Sequence, residues 1–207
     1  SPFGLALADI DGDGKLDMLV TNYVDNSVSV FRNKASSGAI SSSSFDAKVE
    51  FSTGNTPSDI AIADLDLDGK VDMVVSDFTD NTISVYRNIS SSGSISSSSF
   101  DSRVSFSTNT NPYSISLADV DGDGKLEMCV SNWNGGISVF QNTSSSGSIT
   151  SSSFAATVDF SVGSIPRGLA LGDLDGDGKV DILASNWSSG SISVLKNTSS
   201  SGTISSS

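Results

Sequence analysis

The same order of apolar and polar positions returns four times along the chain, each time as a series of short strand-like runs. The first run spans Phe3 to Ala8, Asp59 to Ala63, Ser114 to Ala118 and Gly168 to Gly172. Its large residues are Leu5/Leu7, Ile60/Ile62, Ile115/Leu117 and Leu169/Leu171, and its small ones Ala6/Ala8, Ala61/Ala63, Ser116/Ala118 and Ala170/Gly172. Apolar on both sides, such a strand fits an inner position between two neighbouring sheets. A second, largely apolar run follows at Leu16 to Thr21, Val71 to Ser76, Leu126 to Ser131 and Val180 to Ser185. The third alternates cleanly, as in Ser27-Val28-Ser29-Val30-Phe31 and Thr82-Ile83-Ser84-Val85-Tyr86, which predicts one buried and one wetter face. After a Ser/Gly-rich connection comes the most polar run, Phe45 to Ser52, Phe100 to Ser107 and Phe154 to Ser161, suited to an outer edge. Turns containing Pro57, Pro112 and Pro166 lead back to the next inner strand. The pattern predicts an all-β chain of β-propeller blades, each of four antiparallel strands. One propeller region covers residues 1–207, with repeats of about 1–53, 54–108, 109–162 and 163–207, fifteen strands in all, and no outer strand in the last blade.

Between the first and second runs lies an acidic stretch. Asp9-Ile10-Asp11-Gly12-Asp13-Gly14-Lys15-Leu16-Asp17 returns 55, 55 and 54 residues later, starting at Asp64, Asp119 and Asp173. Carboxylates occupy positions 1, 3, 5 and 9: Asp9, Asp11, Asp13 and Asp17; Asp64, Asp66, Asp68 and Asp72; Asp119, Asp121, Asp123 and Glu127; Asp173, Asp175, Asp177 and Asp181. Converging carboxylates call for a hard divalent cation, and Ca²⁺ accepts six to eight oxygens in forgiving geometry. Glycine at position 6 (Gly14, Gly69, Gly124, Gly178) permits the sharp turn, and Lys15, Lys70, Lys125 and Lys179 would contribute backbone carbonyls. An EF-hand is excluded, because position 12 holds Val20, Val75, Val130 and Ala184 instead of a bidentate Glu, and the flanks are strand-like. A solvated acidic turn would explain one copy but not four at a fixed period. The expectation is about four Ca²⁺, one per loop.

Composition narrows the chemistry. The chain of 207 residues carries 24 acids and 11 bases, a formal charge of −13, and sixteen of the acids lie in the four loops. Four Ca²⁺ would bring the total to about −5. No basic patch points to nucleic acid, and no apolar run approaches the ~20 residues of a membrane span. Histidine is absent, which removes the commonest general base. The single cysteine, Cys129, sits in the apolar run Met128-Cys129-Val130, as a core residue and not a nucleophile, and permits no intrachain disulfide. No signal peptide is visible, but the chain opens in mid-repeat at Ser1-Pro2, so this says little about destination.

The strands, the period and the Asp-x-Asp-x-Asp-Gly-x-x-Asp loop together resemble the FG-GAP/VCBS repeats of integrin α chains and many secreted bacterial proteins. That resemblance covers essentially the whole chain and implies a calcium-bearing propeller, commonly closed with seven blades. With four repeats here, it implies either part of a larger propeller or an assembly completed by another chain through strand addition. The Phe-Gly of the family name survives only at Phe3-Gly4, and a long serine tract replaces the usual short turn between strands three and four.

Consecutive propeller loops alternate between two faces, so the acidic loops and serine tracts should share one. The other gathers Tyr23, Phe78, Trp133 and Trp187 near Asn22, Asp77, Asn132, Asn186, Tyr113 and Arg167. These rings would form a platform for a sugar or peptide, or else pack together and close the core. Asn88, Asn142, Asn186 and Asn197 open Asn-x-Ser/Thr triplets, candidate glycosylation sites in a suitable host. Cytosolic calcium is too scarce for weak sites, which implies an extracellular or cell-surface setting. The leading expectation is a non-catalytic adhesion, scaffold or surface/filament assembly protein. Its partners would be a protein or glycan, or further copies joined through the open fourth blade. The alternative is a lectin-like module using the aromatic face. A polysaccharide-active enzyme ranks last, because no carboxylate pair recurs outside the acidic loops.

Overall fold

Fifteen strands build the computed structural model, which describes residues 1–205 and has no helix among them. The first blade contains β1 (Pro2–Ala8), β2 (Asp17–Asn22), β3 (Ser27–Phe31) and β4 (Val49–Ser52). The second contains β5 (Pro57–Ala63), β6 (Asp72–Asp77), β7 (Thr82–Tyr86) and β8 (Val104–Ser107). The third contains β9 (Pro112–Ala118), β10 (Glu127–Asn132), β11 (Gly136–Phe140) and β12 (Val158–Phe160), and the fourth β13 (Pro166–Gly172), β14 (Asp181–Asn186) and β15 (Ser191–Leu195). Each blade is an antiparallel meander in chain order, and the inner strands β1, β5, β9 and β13 lie side by side. Blade four has three strands among the described residues; Ser206 and Ser207, included in the expectation that it lacks an outer strand, lie outside them.

Two boundaries differ from the sequence reading for physical reasons. The inner strands start two residues before Asp59, Ser114 and Gly168, each on a proline, which lacks an N–H and is tolerated at a strand's first residue. Directly after that proline the register slips by one residue, so that Ser58, Tyr113 and Arg167 are bulged. A hydroxyl from the paired strand serves an amide beside the bulge: Gly4 N donates to Thr21 Oγ1 (2.7 Å), Ser114 N to Ser131 Oγ (3.1 Å) and Gly168 N to Ser185 Oγ (3.1 Å). The outer strands are shorter than expected, because Phe45, Phe100 and Phe154 stand apart in single bridges to Asn33, Asn88 and Asn142.

Burial follows the interfaces between blades. Leu19, Val28, Val30 and Phe51 of blade one pack against Ile60, Met73, Val75, Tyr86 and Phe100 of blade two. The same arrangement joins blades two and three, and blades three and four. Edge-on aromatic pairs, Phe51–Phe100 and Phe106–Phe154, have ring centroids 5.1 Å apart. The end faces break the rule: Leu5 and Leu7 are 68% and 66% exposed, and Ile192 is 73% exposed where Ile83 and Ile137 are wholly buried.

Candidate metal centres and an aromatic face

Each acidic loop is first organised by its own backbone. Asp9 accepts Asp13 N (3.0 Å) and Gly14 N (2.8 Å), while Asp17 accepts Ile10 N (3.0 Å) and, from the end of β3, Asn33 N (2.8 Å). Position 9 therefore joins the loop to the third strand, and it is buried in all four blades. Glu127 makes the same two bonds, to Val120 N (2.7 Å) and, more loosely, to Asn142 N (3.3 Å), so its extra methylene is absorbed without losing a partner. The left-handed backbone at position 4 is met by Gly12, Gly122 and Gly176, but in the second loop by Leu67 at φ +56°. Leu67 is 51% exposed, so Leu67→Gly loses little packing and should raise stability by about 1 kcal/mol in urea unfolding. An unchanged midpoint would show that the loop carries no such strain.

Carboxylate oxygens converge within 4.8 Å of one another in four groups: Asp9, Asp11 and Asp13; Asp64, Asp66 and Asp72; Asp119, Asp121 and Glu127; Asp173, Asp175 and Asp181. The structure thus gathers three of the four acids of each loop. Asp17, Asp68, Asp123 and Asp177 stand outside these groups. Lys70, Lys125 and Lys179 send their ammonium groups to the carbonyls of Ser90, Ser144 and Ser199. Lys15 lies 3.8 Å from Asp13.

Sequence reading passed over the residue that directly follows each third strand. Arg32 Nε meets Asp11 at 2.5 Å and its Nη2 meets Asp13 at 2.7 Å; Arg87 repeats this with Asp66 (2.7 Å) and Asp68 (2.6 Å). Gln141 takes the place before Asn142 and donates to Asp121, and Lys196 takes it before Asn197 and pairs with Asp175. The signal was Arg-Asn, Arg-Asn, Gln-Asn and Lys-Asn at one register. Burial pushes the carboxyls of Asp72 and Glu127 up to about 7 despite their backbone donors, and neighbouring loop carboxylates add to the rise. A divalent cation beside such groups would favour their ionised form. The donors fit one, being carboxylate oxygens without nitrogen or sulfur: Cys129 is buried in the core, where burial pushes its thiol up.

The asparagines read as glycosylation candidates have another task. Asn88 Nδ2 and Ser90 Oγ both donate to Ile10 O of the preceding blade's loop, at 2.9 and 2.8 Å. Asn142 and Ser144 do the same to Leu65 O, and Asn197 and Ser199 to Val120 O. Asn186 Nδ2 is held by Ser191 and Ser193. Asn88, Asn142 and Asn186 are buried, and the amide nitrogen of each that would carry a sugar donates inside the fold.

On the opposite face Tyr23, Phe78, Trp133 and Trp187 come together, joined by Phe3 and Tyr113. Ring centroids run Tyr23–Phe3 (5.4 Å), Phe3–Tyr113 (6.0 Å), Tyr113–Trp133 (5.7 Å), Trp133–Phe78 (5.9 Å) and Trp133–Trp187 (6.3 Å). The bulges bring Tyr113 and Arg167 onto this face, where the Arg167 guanidinium lies over Trp187 (4.3 Å), Trp133 (4.6 Å) and Tyr113 (5.4 Å).

Interblade cores, inner strands side by side and an acidic loop in every blade define an open array of β-propeller blades. The FG-GAP-like repeat matches at residues 9–75, 64–130 and 119–184, which is most of the sequence. The chain belongs to the FG-GAP-like repeat family. No curated protein matches it. Among solved structures it is similar to BBS1N in complex with ARL6DN, in crystals soaked with mercury (14% identity, TM-score 0.55) and with lead (13%, 0.57). These alignments cover 95% and 96% of this chain but only 54% and 58% of BBS1N, so the chain spans little more than half of that protein's length. The Vibrio cholerae biofilm matrix protein Bap1 also aligns, at 18% identity and a TM-score of 0.45, over 89% of this chain and 28% of Bap1.

Proposed function

We propose that this array is a calcium-stabilised, non-catalytic module for adhesion or scaffolding outside the cell. The observation that supports it best is the fourfold return of three carboxylates with oxygens within 4.8 Å of one another. Asp9, Asp11 and Asp13 would hold one ion, and the groups Asp64, Asp66 and Asp72, Asp119, Asp121 and Glu127, and Asp173, Asp175 and Asp181 one each. Bound Ca²⁺ supplies the positive charge that lets crowded, buried carboxylates stay ionised, and cross-links the loop to both flanking strands. Arg32 and Arg87 supply part of that charge in the first two blades, whereas Gln141 supplies none in the third. Loop sites of this kind fill where free calcium is high, which favours an extracellular setting. Without histidine or an ionisable thiol, the chain presents rigid loops suited to holding a partner.

Calorimetric titration and native mass measurement should find about four Ca²⁺ per chain. The fourth site should be the weakest, because Asp173 and Asp175 are exposed where their counterparts are half-buried or buried. Asp64→Asn should remove one ion and leave the other three. A folded chain that takes up no Ca²⁺ at millimolar concentration would refute this reading.

A further inference from the structure

We infer that Arg32 and Arg87 are built-in counter-cations that hold loops one and two together without metal and set their calcium affinity below that of loop three. This rests on the calcium reading and deepens it, because it assigns the difference between sites to residues outside the loops.

The guanidinium and a divalent ion would address the same carboxylate. Arg32 Nε and Arg87 Nε meet Asp11 and Asp66, whose side chains are wholly buried and belong to the converging groups. Each guanidinium also reaches the position-5 acid through Nη2, Asp13 at 2.7 Å and Asp68 at 2.6 Å, so one planar fork bridges two acids of one loop. A buried carboxylate needs a cation beside it, and the guanidinium fills that role in the absence of metal.

Loop three is equally crowded and has no such cation. Asp121 is 2% exposed and receives the neutral amide of Gln141 at 2.8 Å. Lys125 does not make good the loss, because its ammonium is turned to Ser144 O just as that of Lys70 is turned to Ser90 O. Loop three therefore offers an incoming ion one more uncompensated negative charge than loop two, and calcium affinity follows the charge of the ligand set.

The arginine comes with a second acid outside the loop. Arg32 Nη1 lies 3.7 Å from Asp46 and Arg87 Nη1 3.6 Å from Asp101, and the backbone N of each acid donates to its arginine's carbonyl. In blade three that register holds Ala155, whose N donates to Gln141 O. Arginine and outer acid are thus present together in blades one and two and absent together in blade three. A fork loosened from the loop by a divalent ion keeps an anionic partner, which eases its release. Lys34 shares Asp46 at 2.7 Å, so the arrangement is cleanest at Arg87.

The test is a calcium titration of the isotopically labelled whole chain, followed through the amide resonances of the position-6 glycines. Gly14, Gly69, Gly124 and Gly178 each donate to the position-1 acid of their own loop, so each senses its own ion. Gly124 should respond first. R87Q/D101A, which gives blade two the pair found in blade three, should tighten the Gly69 response about tenfold or more and leave Gly14 and Gly124 unchanged. Arg87→Lys keeps the charge and should move it far less. The reciprocal Q141R/A155D, which adds a pair instead of removing one, should weaken the Gly124 response by a similar factor. R87Q/D101A should also lower Tm in chelator and recover most of that deficit in saturating calcium, whereas a merely structural arginine would lower both alike. Gly124 responding after Gly69, an untightened Gly69 response in R87Q/D101A, or equal losses of Tm in chelator and calcium would each overturn the inference and leave the calcium reading intact. Four glycines indifferent to millimolar calcium would refute the calcium reading itself, and this inference with it.

Discussion

Asn142→Ala is expected to lower the stability of the chain by about 2–4 kcal/mol. Asn142 is 1% exposed and makes four bonds: Nδ2 donates to Leu65 O (2.9 Å) and Leu126 O (3.0 Å), Oδ1 accepts Ser144 N (2.9 Å), and its own N donates to Glu127. Alanine keeps only the last. Leu65 O retains the Ser144 hydroxyl at 2.9 Å, but the part-buried Leu126 O and the buried Ser144 N lose their partner. Each such orphan costs about 1–3 kcal/mol. Urea unfolding would measure the difference, and Asn197→Ala, in the half-buried last copy, should cost less than half as much. A loss below about 0.5 kcal/mol for Asn142→Ala would mean that water serves the freed groups and that the clamp adds little.

Asp77→Asn should act in the opposite direction, stabilising the chain at neutral pH by about 1–2 kcal/mol. Asp77 is fully buried, and burial pushes its carboxyl up from 3.8 to about 6, against the hydroxyls of Ser84 and Thr82 and the Gly54 amide that donate to it. Between about pH 4 and 6 the folded chain keeps a proton there that the unfolded chain has released, so stability falls as pH rises through that window and is level above it. Asparagine removes this dependence. It is also the residue at this register in the other blades, as Asn22, Asn132 and Asn186. In blade one, Asn22 Nδ2 donates to Ser27 and Ser29, the counterparts of Thr82 and Ser84, so those hydroxyls need only turn from donating to accepting. The gain over the parent chain should be present at pH 7 and vanish near pH 4. A gain that is the same at both values would assign it to packing instead of charge.

Strands and acidic loops were legible because each follows from a period that local chemistry imposes. Alternation of two marks a strand, and carboxylates at every second position mark a converging loop. The bulged positions were not, because they hold Ser58, Tyr113 and Arg167, which share no side-chain chemistry. What they share is a backbone slip after proline, and in blades three and four a hydroxyl of the neighbouring strand (Ser131, Ser185) serves the next amide. The Asn-x-Ser triplets carry a second meaning for a definite reason. A clamp on a neighbour's carbonyl needs an amide and, two residues on, a hydroxyl, so Asn88 and Ser90 satisfy the packing requirement with the letters of a glycosylation signal. Burial alone separates the two, and burial at the end of a third strand depends on the next blade's arrival. The pairing of Arg32 and Arg87 with the loops was likewise hidden by a distance of nineteen to twenty-one residues along the chain.

Every buried apolar cluster among the described residues is shared by two consecutive blades. The molecule therefore behaves as a one-dimensional lattice whose coupling energy resides in its links, with little cohesion inside any single unit. Four units have three links, so an added unit contributes a full link while a lone unit has none and gains no cooperative transition. Loop one is clamped by blade two, loop two by blade three and loop three by blade four, which gives the lattice a direction as well as a length. Fraying at the two ends is then unequal: loss of blade four releases the clamp on loop three, whereas loss of blade one removes a loop and leaves every remaining clamp in place.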